Sequence, residues 1–325
     1  MQNQQIYTSD IQTPLVSFIV TTYNLPIEYI KACLDSILQL SLSDKEREII
    51  LVDDGSDICP LNNLPEYLSH IIYLRQANQG VSVARNYGMQ IAKGRYIQFV
   101  DGDDYLIQTA YEHALDIVRY HQPDIVTFVT AKNEAAESTY ELPSPISGTD
   151  YLNNHNLHGA VWSYIFRSSI KGTLVFFPGI VYGEDEEFTP QLFLRAERIF
   201  KTDAEAYFYR GNENSVTHQR NKEKIKLRMD NSLEVILHLQ SLLDKIPVAE
   251  RQALSRRIAQ LSMDYLYNNI RLHHSLKSLN QAINNLREHG LYPLPDKKYT
   301  KKYTMFRRAI NTYLGRISLL FFVKK

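Results

Sequence analysis

The sequence is poor in the features that mark several protein classes. It has two cysteines, Cys33 and Cys59, in 325 residues, too few for a disulfide scaffold and without the paired spacing of a metal site. It has no excess of either charge: Lys plus Arg and Asp plus Glu are both 36, which argues against a strongly basic nucleic-acid binder. Long hydrophobic runs are missing. The longest strongly apolar stretch, residues 319–323, falls far short of the ~20 residues that span a bilayer. The start, MQNQQIYTSD, has neither the basic residues nor the apolar run of a secretory signal. Internal repeats are absent, as are the Walker A, Gly-x-Gly-x-x-Gly and Gly-x-Ser-x-Gly signatures. The expectation is a cytoplasmic protein of two or three domains with a sizeable core.

Charge is present but unevenly placed. Residues 220–325 hold 21 Lys/Arg against 8 Asp/Glu, whereas residues 1–219 hold 15 against 28. Residues 297–325 carry nine basic side chains and no acidic one. An acidic part suits cations, and a basic part suits a negative surface.

Short β-branched runs alternate with helical patterns through the first 130 residues. Residues 15–20 (LVSFIV), 48–52 (EIILV), 71–74, 96–100 (YIQFV) and 124–130 read as strands. Residues 27–40, 82–92 and 109–120 place apolar side chains at helical period. This alternation predicts an α/β fold: a mostly parallel, Rossmann-like sheet flanked by helices. Residues 131–150 read as a loop, and 161–166, 174–177 and 204–209 as further strand-like pieces. From residue 222 the pattern is helical, over 225–243, 253–272 and a last amphipathic stretch, 303–323. The predicted divisions are a tail at 1–13, an α/β half at 14–130, a second half at 131–219 and a basic helical region at 220–325.

Two acidic turns stand at predicted strand ends, where α/β sheets collect ligands. Asp101-Gly102-Asp103-Asp104 packs three carboxylates that repel one another, so a hard divalent cation with a taste for oxygen ligands would relieve them. A solvated turn is the alternative. Gly102 there allows a close backbone approach or a positive φ. Asp53-Asp54-Gly55-Ser56 ends a different strand, and its carboxylates suit a base N–H or a ribose hydroxyl. Arg85 lies one turn into a helix otherwise bare of charge, fit to meet a phosphate or an acidic cluster, or to lie on the surface. Gly183-Glu184-Asp185-Glu186-Glu187 suits a helix first turn or holds a general base. Trp162 is either core or a platform for a sugar ring. The pairs His155/His158 and His273/His274 lack partners at metal-site spacing.

Taken in order, VSFIVTTYN (16–24), EIILVDDGS (48–56), NQGVSVARNYGMQIAKGRYIQFVDGDD (78–104) and GEDEEF (183–188) resemble the pattern of glycosyltransferase family 2. The resemblance covers roughly residues 14–215. It implies a GT-A fold, with a nucleotide-sugar-binding half at 14–130 merging into an acceptor-binding half at 131–219. It implies an inverting transferase of hexosyl type, dependent on Mn²⁺ or Mg²⁺. Such an enzyme moves sugar from a nucleoside-diphosphate donor, commonly UDP-linked, to a carbohydrate or glycolipid acceptor in surface polysaccharide assembly. Carried onto this sequence, it implies that Thr21 and Tyr23 line the base pocket. Asp54, with Asp53, would contact base or ribose, and Arg85 would lie near the phosphates. Asp101 and Asp103 match the family's Asp-x-Asp, Asp101 toward ribose and metal, Asp103 on the metal. Asp104 and Trp162 would lie on the acceptor side, and Arg210 and His218 would approach the pyrophosphate. Asp185 matches the catalytic base, with Glu184 the competing candidate. Gly102 stands where Ser or Ala is more usual.

Two other readings compete. A sugar-phosphate nucleotidyltransferase would need a Gly-rich, basic phosphate loop after the first strand, and TTYNLP (21–26) is not one. A nucleotide-sugar-binding module without catalysis would not need acids at all three sites. No nucleic-acid partner is expected. The basic last helix points to peripheral contact of residues 303–325 with an anionic membrane, or to packing on the protein itself or on a second subunit in a homodimer.

Overall fold

The computed structural model describes residues 13–131, 140–211 and 222–323. Strands β1 (Val16–Thr22), β2 (Arg47–Asp53), β3 (Ile71–Arg75) and β4 (Tyr96–Asp101) alternate with helices α1 (Ile27–Leu38) and α2 (Val81–Ile91). Then follow β5 (Tyr105–Leu106), α3 (Gln108–His121), β6 (Ile125–Thr130), α4 (Gly148–Asn154), β7 (Tyr164–Arg167), α5 (Ser168–Lys171), α6 (Glu184–Leu194) and β8 (Ile199–Phe208). The rest is helical: α7 (Lys222–Leu242), α8 (Val248–His273), α9 (Leu276–Glu288), α10 (Lys301–Ile310) and α11 (Tyr313–Phe322).

One sheet runs through the molecule in the order β3-β2-β1-β4-β7-β6-β8-β5. Its first four strands are parallel, as their crossover helices require. The sheet as a whole is mixed, because β7 runs antiparallel to both β4 and β6, and β5 antiparallel to β8. Both faces are covered, which is why β1 reads as a continuous apolar run. Ile19 faces a core shared with Ala84 and Met89 of α2 and with α6, α7 and α8. Its neighbours Phe18 and Val20 face the opposite core, under α1 and α3. The basic C-terminal helices thus pack onto the same core as one face of the sheet.

Two stretches depart from their sequence pattern. Residues 174–177 form no strand, because Asn86 takes over the backbone pairing. Its side chain donates to the Phe176 carbonyl and accepts the Phe176 N–H, each at 2.8 Å. The Phe176 ring then stacks on Phe188 at 4.1 Å. Residues 303–323 are two helices, not one. Asn311 clamps the backbone of Leu294 from both sides, and Thr312 caps α11 by accepting the Gly315 N–H at 3.1 Å. The break turns the shared apolar stripe apart: Ile310 is fully buried while Tyr313, Leu314 and Phe321 are exposed.

Candidate active site

Parallel pairing brings the strand ends together. Thr21 pairs with Asp101 and Thr22 with Asp53. Beyond the strands, the Gly102 N–H donates to the Thr21 carbonyl and the Asp54 N–H to the Thr22 carbonyl, both at 2.9 Å. Gly102 is needed for proximity and not for a positive φ: a Cβ there would meet the Thr21 carbonyl oxygen at 2.8 Å.

Strand alternation then sorts the acids. Asp101 follows Ile97 and Phe99 to one face. Asp53 follows Ile49 and Leu51 to the other, where it is fully buried. There it accepts the Ser56 N–H and the Tyr73 hydroxyl, each at 2.9 Å. Asp54 turns back toward the first face. Its carboxylate accepts the Gln76 side chain at 2.7 Å and the N–H groups of Gln79 and Gly80 at 2.9 and 2.8 Å, which fixes the loop leading into α2.

A cavity of about 1060 Å³ opens at these strand ends. Thr21, Tyr23, Asp54, Arg85, Asp101 and Asp103 line one part of it. Trp162, Glu184 and Asp185 line a second part, from the far half of the sheet and the start of α6. Carboxylates remote in the chain therefore share one space. Asp53, Asp104 and Arg210 do not line it, and His218 lies outside the described residues.

Arg85 organises the acids. It is buried, with one terminal nitrogen donating to Glu184 at 3.1 Å and to Asp185 at 2.7 Å, and the other to Asp101 at 3.0 Å. Burial works against its charge, but Asp185, Asp101 and Glu184 more than offset this and hold its pKa above the ordinary arginine value. Burial also pushes the carboxyls of Asp185 and Glu184 upward, although Arg85 pulls both back. The Val161 N–H donates to the second Asp185 oxygen at 3.2 Å.

Helix α6 starts at Gly183, whose φ of +87° lies in the left-handed region that glycine tolerates. The four acids that follow suit the positive end of the helix dipole, and they divide among three basic side chains. Glu184 and Asp185 meet Arg85. Glu186 pairs with Arg257 of α8. Glu187 is buried against His238 of α7 at 2.8 Å.

Asp104 is buried and fastens the end of β8. It accepts the Tyr207 hydroxyl at 2.9 Å and the Arg210 N–H at 2.8 Å. Burial, with Asp101 and Asp103 close by, pushes its pKa up to about 8. Arg210 turns its Nε to the Asp103 carbonyl at 2.9 Å and lies over the Tyr29 ring at 4.4 Å. Trp162 stacks on Tyr207 at 4.5 Å and on Tyr209 at 6.2 Å; it packs against the core and also lines the cavity.

No cluster of three potential metal ligands occurs among the described residues. Asp101 and Asp103 supply two hard carboxylates at the cavity. That donor set fits Mg²⁺ or Mn²⁺, which take oxygen ligands and complete their shell from phosphate and water.

Part of the cavity comes from where no motif stood. Arg228 and Ser232 of α7, and Asp264, Tyr265 and Asn268 of α8, line it too. The only sequence signal was polar residues at helical period on two amphipathic helices, a spacing that a solvent-facing side shares.

The fold is of GT-A type. The first 349 residues of TarS from Staphylococcus aureus, solved with UDP-GlcNAc, match it with a TM-score of 0.69 at 18% identity, over 94% of this chain and 88% of that one. Residues 17–174 match the model of Glycosyl transferase family 2. Two relatives come from Bacillus subtilis (strain 168). The uncharacterized glycosyltransferase EpsJ is 35% identical over 221 residues, 63% of each chain. The minor teichoic acid biosynthesis protein GgaB is 26% identical over 306 residues, 91% of this chain and 32% of the relative. The chain spans less than two thirds of either relative's own length.

Proposed function

We propose that the protein is an inverting, metal-dependent glycosyltransferase that moves a sugar from a nucleoside-diphosphate donor, UDP-linked, to a hydroxyl of a carbohydrate or glycolipid in surface polysaccharide assembly. The observation that carries this reading is the convergence of Asp54, Asp101, Asp103 and Asp185 on one cavity, with Arg85 among them. UDP-GlcNAc in TarS and teichoic acid assembly by GgaB support the donor and acceptor classes.

In this reading Thr21, Tyr23 and Asp54 hold the nucleoside at the strand ends. Asp101 and Asp103 would hold the divalent ion, which would supply positive charge to the leaving diphosphate. Asp185 is the base. The acceptor oxygen attacks the anomeric carbon from the face opposite the diphosphate, its proton passes to the Asp185 carboxylate, and the anomeric C–O bond breaks with its electron pair leaving on the diphosphate. Burial raises the proton affinity of Asp185, which brings it closer to that of an effective base near neutrality. Glu184 shares Arg85 but lacks the Val161 N–H contact that orients Asp185.

Asp185→Asn keeps the shape and removes the base. Turnover with the best donor of a UDP-sugar panel is expected to fall by roughly 10²–10⁴-fold, with UDP affinity retained. The wild-type pH–rate profile is expected to lose activity on its acid side above the ordinary aspartate range, because a raised pKa keeps Asp185 protonated to higher pH. Full turnover in the variant rules out Asp185 as the base.

The site of action we propose is the cytoplasmic face of a membrane. Among the described residues no helix is long and apolar enough to cross one. Contact would instead run through residues 303–325, where Leu314, Phe321 and Phe322 stand exposed beside a wholly basic stretch.

A further inference from the structure

The cavity has a wall that the family motifs do not supply. On α8, Leu261, Asp264, Tyr265 and Asn268 recur at i, i+3, i+4 and i+7 and therefore share one helix face. On α7, Arg228, Ser232 and Val235 recur at i, i+4 and i+7. Both stripes line the same space as Asp101, Trp162 and Asp185.

Asp264 is the acid of the α8 stripe. The helix buries Leu254, Ile258, Leu266 and Ile270 in the core, and polar residues such as Arg257 and Gln260 are buried along it too; a carboxylate in such a setting is costly unless its oxygens are engaged. Asp264 keeps its place through Tyr303 of α10, whose hydroxyl lies 2.9 Å from both carboxylate oxygens. Burial pushes its pKa up to about 6. Arg257, one turn before Leu261, pairs with Glu186, the residue that follows Asp185. The helix is thus tied to the first turn of α6, and its stripe is held at a fixed distance from the proposed base.

The wall mixes hydrogen-bonding groups of both senses with an aromatic ring and two aliphatic side chains. A carboxylate accepts from hydroxyls, an amide both donates and accepts, and a ring covers C–H faces. Polyhydroxylated molecules offer these features together.

We propose that the α7–α8 wall is the acceptor site and that it takes a polyhydroxylated acceptor, a saccharide or a polyol. Asp264, Asn268 and Ser232 bond its hydroxyls, and Tyr265 lies along its carbon face. This deepens the glycosyltransferase reading and rests on it. It also places acceptor recognition in the basic helical region, beyond the second half of the sheet, with Trp162 as the shared edge.

The test uses the full chain with UDP, Mn²⁺ and two soluble probes, methyl β-D-glucopyranoside and sorbitol. Calorimetry reads the UDP affinity, and saturation-transfer NMR titrations read the probes on the UDP-loaded protein. The wild type is expected to bind at least one probe. Asp264→Asn and Asn268→Ala are each expected to weaken that probe by about tenfold or more, with the UDP Kd within about twofold of wild type. Asn268 is only half-buried and its side chain makes no hydrogen bond to another of the described residues, so its variant keeps the test valid if Asp264→Asn unfolds. Normal UDP binding with no probe bound, or probe affinities unchanged in the variants, overturns the acceptor assignment. Absence of UDP binding by the wild type contradicts the nucleotide-sugar reading itself.

Discussion

Arg85 is a cation buried among three acids, and its surroundings decide both stability and chemistry. With all groups ionised, Arg85, Asp101, Glu184 and Asp185 sum to a charge of −2, so the half-buried Glu184 and Asp185 have reason to hold their protons more tightly than usual. Removing the buried guanidinium leaves three half-buried carboxylates without their partner. Arg85→Ala is therefore expected to cost about 3–5 kcal/mol at neutral pH. The sign of its pH dependence follows from the raised folded-state pKa values. Protonated acids tolerate burial, so the loss shrinks as pH falls and grows as pH rises through those values. Denaturant unfolding of both proteins at pH 5 and pH 8 checks this; an equal loss at the two pH values contradicts it. The same scale shows how far single residues were legible. Asp54, Asp101, Asp103 and Asp185 could be picked out as acids at turns, and alternation from Ile49 and Leu51 could have set Asp53 on the opposite face from the cavity. Nothing in the local sequence tells that Asp104 is buried under Tyr207 and Arg210, since those partners are about a hundred residues away.

At the scale of elements, hydrophobic period was enough for β1, β2, β4, α1 and α2, whose ends fall within one or two residues of their patterns. It failed where side chains replaced regular backbone pairing. Asn86 holds residues 174–177 out of the sheet, and the Asn311 clamp with the Thr312 cap splits the last helix. The split matters for function, because it leaves only one side of α11 on the core, through Leu319 and Leu320. No residue of α11 is buried, and Leu314, Phe321 and Phe322 are 77%, 82% and 83% exposed. A membrane whose surface is anionic would cover these side chains while meeting Lys301, Lys302 and Arg308 nearby in the chain. Wild-type protein is expected to sediment with vesicles containing phosphatidylglycerol and not with neutral vesicles. The double variant Leu314→Glu/Phe321→Glu is expected to lose most of that binding. Equal partitioning of the two proteins, or a wild-type dimer in solution that dissociates in the variant, would show instead that the face packs on a second subunit.

Across the whole molecule the site is a product of topology. Three of its parts, the ends of β1, β2 and β4, are aligned by strand register alone, and their motifs are compact enough to read in one dimension. The other parts arrive through long-range packing: α6 across Arg85, Trp162 from the antiparallel half of the sheet, and α7 with α8 from the C-terminal region. The charge imbalance of residues 220–325 pointed to a surface role for that region, and the cavity stripes of α7 and α8 add a role at the centre. Those stripes became visible only once both helices were seen to face the sheet, since a polar residue at helical period has the same spacing on a solvent face. All of this depends on the strand-end acids acting together on a nucleoside diphosphate. The direct measurement is a calorimetric titration of UDP, with GDP and dTDP as alternatives, in the presence and absence of Mn²⁺, on wild type and on Asp103→Ala. The account predicts saturable binding of one of these nucleotides that strengthens with the metal, and a loss of at least about tenfold, or 1.4 kcal/mol, in the variant. No binding of any of the three, or binding indifferent to both the metal and Asp103, would contradict it.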